Sequence, residues 1–468
     1  MARRNRVIYQ SQALFIAPSS TGAQVSGVTE TAGTGPLLIS SSPFGPSNTG
    51  ELASGVSLLK KMDRIQSCNF NFTLNRQDIN EFGKLARIDT LVTEPPTVGL
   101  DFSYFVTDGL NERLMGFNFT GKKNGVVDEY MNPGQSISGL LQDTQGNNFY
   151  ILTVDDGEDV VGQEDTFDGT NSIVAIGNGF VTDYSFEAAV GGLPTATVTV
   201  EAFNIKTDYN IAKNTTNTAV GDASEGTAGA KNVYVSGYSP AVNLFQTPAV
   251  KFGKASDMDK AYKLDYSREF TGSQFQGNSA YNFTGFTTGD STVSALRPGD
   301  ITIEFPATSG LSSISGANSA HIQSFNFSIP LTRTILQRLG SVFGYTRVVD
   351  VPINMEMSIS AVVSELQDAN LFDIMADTSK LSFAITLNDT NQTTPQQKMR
   401  YEIKGAQLVS ETYSEAIGDN QSVDITYTVQ LGGANDTAAG VFLSGSYDNT
   451  QADEIVRKFY VPGTGRFD

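Results

Sequence analysis

The chain has 468 residues, enough for two or three packed cores, and its 39 % apolar content with 29 Phe and 17 Tyr excludes a wholly disordered polymer. A formal charge of −19 excludes recruitment of nucleic acid by the overall field, which would repel a polyphosphate. One cysteine, Cys68, excludes an intramolecular disulfide, and any His-based metal centre or Ser-His-Asp triad would depend on the single His321.

Residues 1–60 are rich in Gly, Ser, Thr and Pro and predict an arm with one or two short strands, at Ala13–Ile16 and Leu37–Ile39. The basic start, Met1 to Arg6, leads into a segment too polar for a signal-peptide core, so no export signal and no membrane span are expected.

Residues 61–206 read as a first folding unit. Arg64–Leu74 alternates, with Cys68, Phe70, Phe72 and Leu74 on one face and Asn69, Asn71 and Thr73 on the other, which predicts a strand. Asn75 then suits an N-cap, and Ile79, Phe82 and Leu85, spaced by three, predict an amphipathic helix to about Arg87. A second strand follows at Val98–Val106, with Val98, Leu100, Phe102 and Tyr104 inward and Asp101 and Ser103 outward. A short helix is expected near Leu110–Met115, with strands near Ser136–Leu141 and Phe149–Val154. The acidic loop 155–169 fails the EF-hand pattern and reads as a solvated hairpin tip. The unit closes with a hairpin at Gly191-Gly192 and a strand that alternates Ala196, Val198, Val200 against Thr197, Thr199, Glu201.

Residues 207–319 are Gly/Ala/Thr/Asn-rich, too long for a plain linker, and read as an inserted β-rich segment with strand-like pieces at Val233–Val235 and Asp300–Phe305. Residues 320–433 repeat the first unit. Ile65-Gln66-Ser67 recurs as Ile322-Gln323-Ser324, an offset of 257, and Ile79, Phe82 and Leu85 recur as Leu336, Leu339 and Val342. An offset of 253 then matches Val98, Leu100, Phe102 and Tyr104 to Val351, Ile353, Met355 and Met357, which implies a four-residue deletion before this strand. Leu371–Met375 is the expected second short helix, and Thr195–Val200 recurs as Ser422–Tyr427 at an offset of 227. Residues 434–468 read as a C-terminal arm.

Catalytic signatures are missing. No Gly-x-x-x-x-Gly-Lys-Ser/Thr phosphate loop and no Gly-x-Ser-x-Gly elbow occurs, and Gly177-Asn178-Gly179 runs into a strand rather than a helix. A glycosidase carboxylate pair stays open, though Trp, a common sugar platform, is absent. The expectation is a non-enzymatic protein with no cofactor and no metal. Cys68 stands where the second copy has Phe325, which predicts an apolar position. Arg76 and Arg333 occupy matched positions at the start of the two predicted helices, where a cation opposes the helix dipole. A salt bridge to a neighbouring domain or subunit would account for their recurrence, and ancestral carry-over with no present role is the alternative.

The doubled strand–helix–strand unit with its closing hairpin, and the phrases IQSCNFNFTLNRQDINEFGKLARID and GFVTDYSFEAAVGGLPTATVTVEAFNI, resemble the major tail proteins of tailed bacteriophages over roughly 60–206 and 320–433. The resemblance implies a mainly β fold with two tandem sandwich or barrel units, each flanked by a helix. It implies self-assembly, with three chains closing a pseudo-sixfold ring and rings stacking into a tube beside other tail proteins. The protein would reside in the virion after assembly in the host cytoplasm. DNA would pass non-specifically through the lumen. The lumen-lining candidates are then Asp101, Ser103, Thr197, Thr199 and Glu201 in the first copy, and Asn354, Glu356, Asp424, Thr426 and Thr428 in the second. Another virion part built on the same unit, such as a tail completion, baseplate-hub or capsid decoration protein, and less so a secreted β-rich adhesin, stay open as alternatives.

Overall fold

The computed structural model of the protein describes residues 12–18, 60–94, 96–117, 119–122, 147–153, 168–202, 204–212, 296, 301–304, 320–336, 346–363, 380–389, 396–414, 421–433, 436 and 438–448. The first half holds β1 (Gln12–Pro18), β2 (Lys60–Lys61), β3 (Ile65–Thr73), β4 (Arg76–Ile79), β5 (Asp89–Val92), β6 (Thr97–Phe105), α1 (Leu110–Met115), β7 (Phe119–Lys122), β8 (Asn147–Thr153), β9 (Asp168–Ala189), β10 (Thr195–Ala202) and β11 (Asn204–Ala212). The second holds β12 (Ile301–Glu304), β13 (Ala320–Pro330), β14 (Arg333–Leu336), β15 (Thr346–Val349), β16 (Asn354–Val363), β17 (Leu381–Asp389), β18 (Gln396–Ser414), β19 (Ser422–Gln430) and β20 (Gly440–Asp448).

Period-two alternation places the strands in layers, because each can bury only one row of side chains. Eight form one antiparallel inner sheet in the order β3-β6-β10-β9-β13-β16-β19-β18. Two outer sheets cover its apolar face, β2-β1-β8-β9-β11 over the first unit and β12-β17-β18-β20-β7 over the second. The fold is therefore mainly β. Val98, Leu100, Phe102 and Tyr104 point between the layers, as their alternation predicts, and so do Ala196, Val198, Val200, Val423, Ile425 and Tyr427. Phe102 meets Phe149 of the outer layer at 6.0 Å between ring centroids, and Tyr427 meets Phe383 at 4.7 Å.

β9 and β18 run through both layers. Residues 168–179 of β9 pair in the outer sheet and 180–189 in the inner one. Each long strand carries a bulge after it enters the inner sheet: Thr182 is the extra residue opposite Thr199/Val200, and Val409 opposite Thr426/Tyr427. A bulge bends its strand and sharpens the local twist, which suits a strand passing from one sheet to another. Thr182 and Val409 are themselves 227 residues apart, so the repeat extends to this backbone irregularity.

Three expectations change. First, among the described residues no amphipathic helix follows β3 or β13, and positions 337–345 of the second expected helix lie outside them. Residues 76–92 form the β4–β5 hairpin, with Arg76 opposite Val92 and Ile79 opposite Asp89, and β14–β15 is its counterpart. Gly83 has φ +90° in the turn, Asn75 donates its side-chain amide to Glu94 at 2.6 Å rather than capping, and Arg87 pairs with Asp78 at 3.0 Å across the hairpin. A helix this short draws its stability from packing an apolar face, and no described element lies against that stripe: Phe82 and Leu85 are fully exposed. The short helix at Leu110–Met115 is present.

Second, the four-residue deletion does not exist. Phe70 faces Leu100 and Phe327 faces Met357, so the offset of 257 continues through β6 and β16. Val98, Leu100, Phe102 and Tyr104 correspond to Met355, Met357, Ile359 and Ala361. A shift of four leaves a period-two pattern unchanged, which is why alternation alone admits both alignments.

Third, strands from outside 320–433 pair within the second unit's outer sheet: β12 with β17, and β20 with β18. The expected strands at 37–39, 136–141 and 233–235, the helix at 371–375 and nearly all of the acidic loop lie outside the described residues.

Candidate functional site

The inner sheet has one apolar face, buried against the outer layer, and one polar face. Every lumen-lining candidate falls on the polar face. Thr197 pairs with Ser103, Thr199 with Asp101, and Glu201 with Gly99; Thr426 pairs with Ser358, Thr428 with Glu356, and Asp424 with Ser360. With the corrected offset the counterparts of Asp101 and Ser103 are Ser358 and Ser360, whereas Asn354 and Glu356 correspond to Thr97 and Gly99. Further residues complete the face: Asn69 and Asn71 on β3, Asp183, Ser185 and Glu187 on β9, and Asn326 and Ser328 on β13. The segments of these eight strands that pair in the inner sheet carry no Lys or Arg.

Hydrogen bonds knit the face. Ser67 and Ser103 hydroxyls lie 2.6 Å apart, and Ser328 donates to Asp183 at 3.1 Å. Desolvation raises the Asp183 carboxyl above its usual range, partly offset by the Ser328 bond. Cys68 lies half-buried at the edge; burial, with Asp101 beside it, pushes its thiol up to about 12, which leaves it protonated and a poor nucleophile at neutral pH.

The two units meet along β9 and β13, from Ser324 opposite Ala189 to Pro330 opposite Asp183. Beneath this seam Phe186 stacks on Phe327 at 5.5 Å and packs on Tyr401 at 4.9 Å. The hairpin β14–β15 reaches over from the second unit. Arg347 bonds the Glu201 carboxylate at 3.1 Å, and Arg333 and Arg347 lie 4.9 and 5.5 Å from the centroid of the Phe180 ring. Glu201 is thus held in a clamp at the end of the polar face. Arg333 makes a contact between units of one chain, while its counterpart Arg76 is exposed.

A buried polar cluster below the seam gave no sequence signal. Tyr104 and Tyr184 donate to Glu112 Oε1 at 2.7 and 3.1 Å, and the Tyr184 and Tyr401 hydroxyls lie 2.9 Å apart. Glu112, on the six-residue α1, is fully enclosed, and desolvation pushes its carboxyl up to about 7 against the opposing pull of its tyrosine bonds. The cluster joins side chains of the first unit to Tyr401 of the second. A helix of six residues is too short for periodicity to expose such a role.

The sheet's two outer edges face no described strand. At one, Phe70 and Phe72 of β3 and Leu74 just after it are exposed; at the other, β18 shows Val409 and Tyr413. Among the described residues no group of three His, Cys, Asp or Glu converges on a metal position, and no helix is long and apolar enough to cross a membrane.

No family model matches this sequence, and no curated protein sequence matches it. Among solved structures, the chain is similar to the SPP1 tail tube, at 13 % identity and a TM-score of 0.21, over 34 % of this chain and 83 % of that one. It is also similar to an Hcp protein, at 10 % identity and a TM-score of 0.17, over 31 % of this chain and 96 % of that one.

Proposed function

We propose that this chain is the structural subunit of a bacteriophage tail tube: three chains close a ring of six units, rings stack, and DNA passes along the polar face to the host. The observation that carries the reading is the eight-stranded inner sheet, in which two equivalent units are already joined edge to edge with one continuous polar face. An open sheet with exposed apolar edge strands invites pairing with another chain, and closure into a barrel removes the edges. A head-to-tail contact of this kind closes when its rotation divides the circle, and axial stacking then leaves an open-ended repeat.

The polar face suits a channel that passes DNA without holding it. Phosphate binding by Lys and Arg gains strength from counterion release, and the strand segments that pair in the inner sheet have neither residue. Hydroxyls, amides and carboxylates line the face instead. The subunit would reside in the virion, with its own copies and other tail proteins as partners.

Negative-stain electron microscopy of the purified full-length protein tests the proposal. Rings or tubes with a central channel are expected on concentration. A species that stays monomeric at all concentrations and salt conditions would refute it.

A further inference from the structure

The two outer edges of the inner sheet are the unmatched halves of a seam that the chain already makes once. The strand order makes this comparison possible. β3 corresponds to β13 at an offset of 257, and the inner half of β9 corresponds to that of β18 at 227, bulge included. Within the chain, β13 pairs with β9. Its counterpart β3 and the counterpart of β9, namely β18, lie at opposite ends of the sheet.

Exposure tracks this difference. Phe327, Ile329 and Leu331 at the internal seam are 1 %, 0 % and 1 % exposed, while Phe70, Phe72 and Leu74 at the matching positions are 43 %, 61 % and 41 % exposed. On the other side Phe186 is 1 % exposed and its counterpart Tyr413 is 42 % exposed. The same apolar positions are covered where a neighbouring unit is present and bare where none is.

We infer that β3 of one chain pairs antiparallel with β18 of a second copy in the register of the internal seam: Asn69 opposite Ser414, Phe70 opposite Tyr413, Asn71 opposite Thr412, Phe72 opposite Glu411 and Thr73 opposite Ser410. This rests on the assembly reading above and fixes which residues of which edge meet. Seven strand-to-strand steps, each antiparallel, separate β3 from β18, so the two run in opposite directions and the added pair is antiparallel as required. Phe70 then takes the place of Phe327 on Tyr413, as Phe327 stacks on Phe186. Leu74 N–H donates to the Val409 carbonyl, as Leu331 N–H donates to Thr182 at 2.7 Å.

The two seams differ in one respect. Arg347, Glu201 and Phe180, which clamp the internal seam, correspond to Thr90, Thr428 and Gln407. The seam between copies is made by backbone pairing and apolar side chains, without the guanidinium clamp.

Engineered cysteines test the register in the full-length protein, with Cys68→Val removing the native thiol. At the internal seam, Val190 N–H donates to Gln323 and Leu331 N–H to Thr182. The pair Asn326/Glu187 therefore falls at a non-hydrogen-bonded site, and so does its equivalent Asn69/Ser414. Cα atoms at such a site are about 4.5 Å apart, within disulfide range. Mild oxidation of Asn69→Cys/Ser414→Cys should give reducible covalent dimers and larger species. Mixing chains that carry only Asn69→Cys with chains that carry only Ser414→Cys should give dimers and nothing larger. Asn69→Cys/Thr412→Cys and Asn71→Cys/Ser414→Cys report slips of two residues, where Cβ separations of roughly 7–8 Å should abolish the link. Crosslinking by a slipped pair in place of Asn69/Ser414, or tubes seen by microscopy with no link at Asn69/Ser414, would overturn the register and leave the assembly reading standing. Absence of both tubes and links would overturn both.

Discussion

Raising the pH should weaken the fold through one buried carboxyl, and Glu112→Gln should remove that dependence. Glu112 sits at about 7 in the folded chain against an ordinary 4.5, chiefly because burial disfavours its charge. The folded state therefore holds a proton that the unfolded state releases between these values. Stability is fully present below about pH 4.5 and falls as pH rises towards 7. At 1.36 kcal/mol per pKa unit, the gap corresponds to a loss of about 3 kcal/mol. Asp183 on the inner sheet, whose carboxyl desolvation also raises, is half-exposed and adds in the same direction. The assay is denaturant unfolding of the unassembled protein at half-unit steps from pH 4.5 to 8, wild type beside Glu112→Gln. Gln keeps an acceptor oxygen for Tyr104 and Tyr184 and carries no proton to lose. Wild-type stability should decline across the window and the variant should stay nearly level. Parallel curves for the two proteins would show that Glu112 ionisation is not coupled to folding and would refute the argument.

Gly179 marks the point where β9 leaves the outer sheet. A Cβ there would stand 2.7 Å from Val200 Cγ1 and 3.2 Å from the Phe149 ring, so Gly179→Ala should cost roughly 1–3 kcal/mol by overpacking. Gly192→Ala, whose Cβ would meet only the Ala189 carbonyl at 3.7 Å, should change stability by less than about 0.5 kcal/mol in the same thermal melts; equal losses would contradict the packing account. Reversing charge on the polar face with Asp101→Lys, Glu356→Lys and Asp424→Lys together should leave assembly intact and create binding of short duplex DNA that weakens with salt. Unchanged retention of labelled DNA would contradict the assignment of this face to the channel.

Much of the inner sheet is legible in the sequence because a half-buried strand advertises its faces. Val98 to Tyr104 and Ala196 to Val200 announce both the strands and the polar rows opposite them. The same periodicity cannot fix register along a strand: it matches Asn354 and Glu356 to Asp101 and Ser103 as readily as Ser358 and Ser360, the counterparts that the strand pairing gives. The hairpins were hidden for a different reason. Ile79, Phe82 and Leu85 have helical spacing, but a stripe stabilises a helix only when something covers it, and that depends on the rest of the fold. Arg333 stands out in the sequence for its position at a predicted helix start; in the structure it begins a hairpin strand with its guanidinium over the Phe180 ring, while Arg76 is exposed. Glu112, Tyr184 and Tyr401 come together from three distant segments, and nothing local to any of them marks the meeting.

The long strands β9 and β18 also decide how the double layer can yield. Each threads one unbroken backbone through both layers, hydrogen-bonded to neighbours in each. Sliding one layer over the other would have to tear two ladders on the same strand. Parting the two units along the β9–β13 seam severs that ladder and the short β7–β20 ladder, and leaves β9 and β18 themselves unbroken. A double layer threaded in this way is stiff against sliding of its sheets and keeps its thickness, because the same two backbones belong to both.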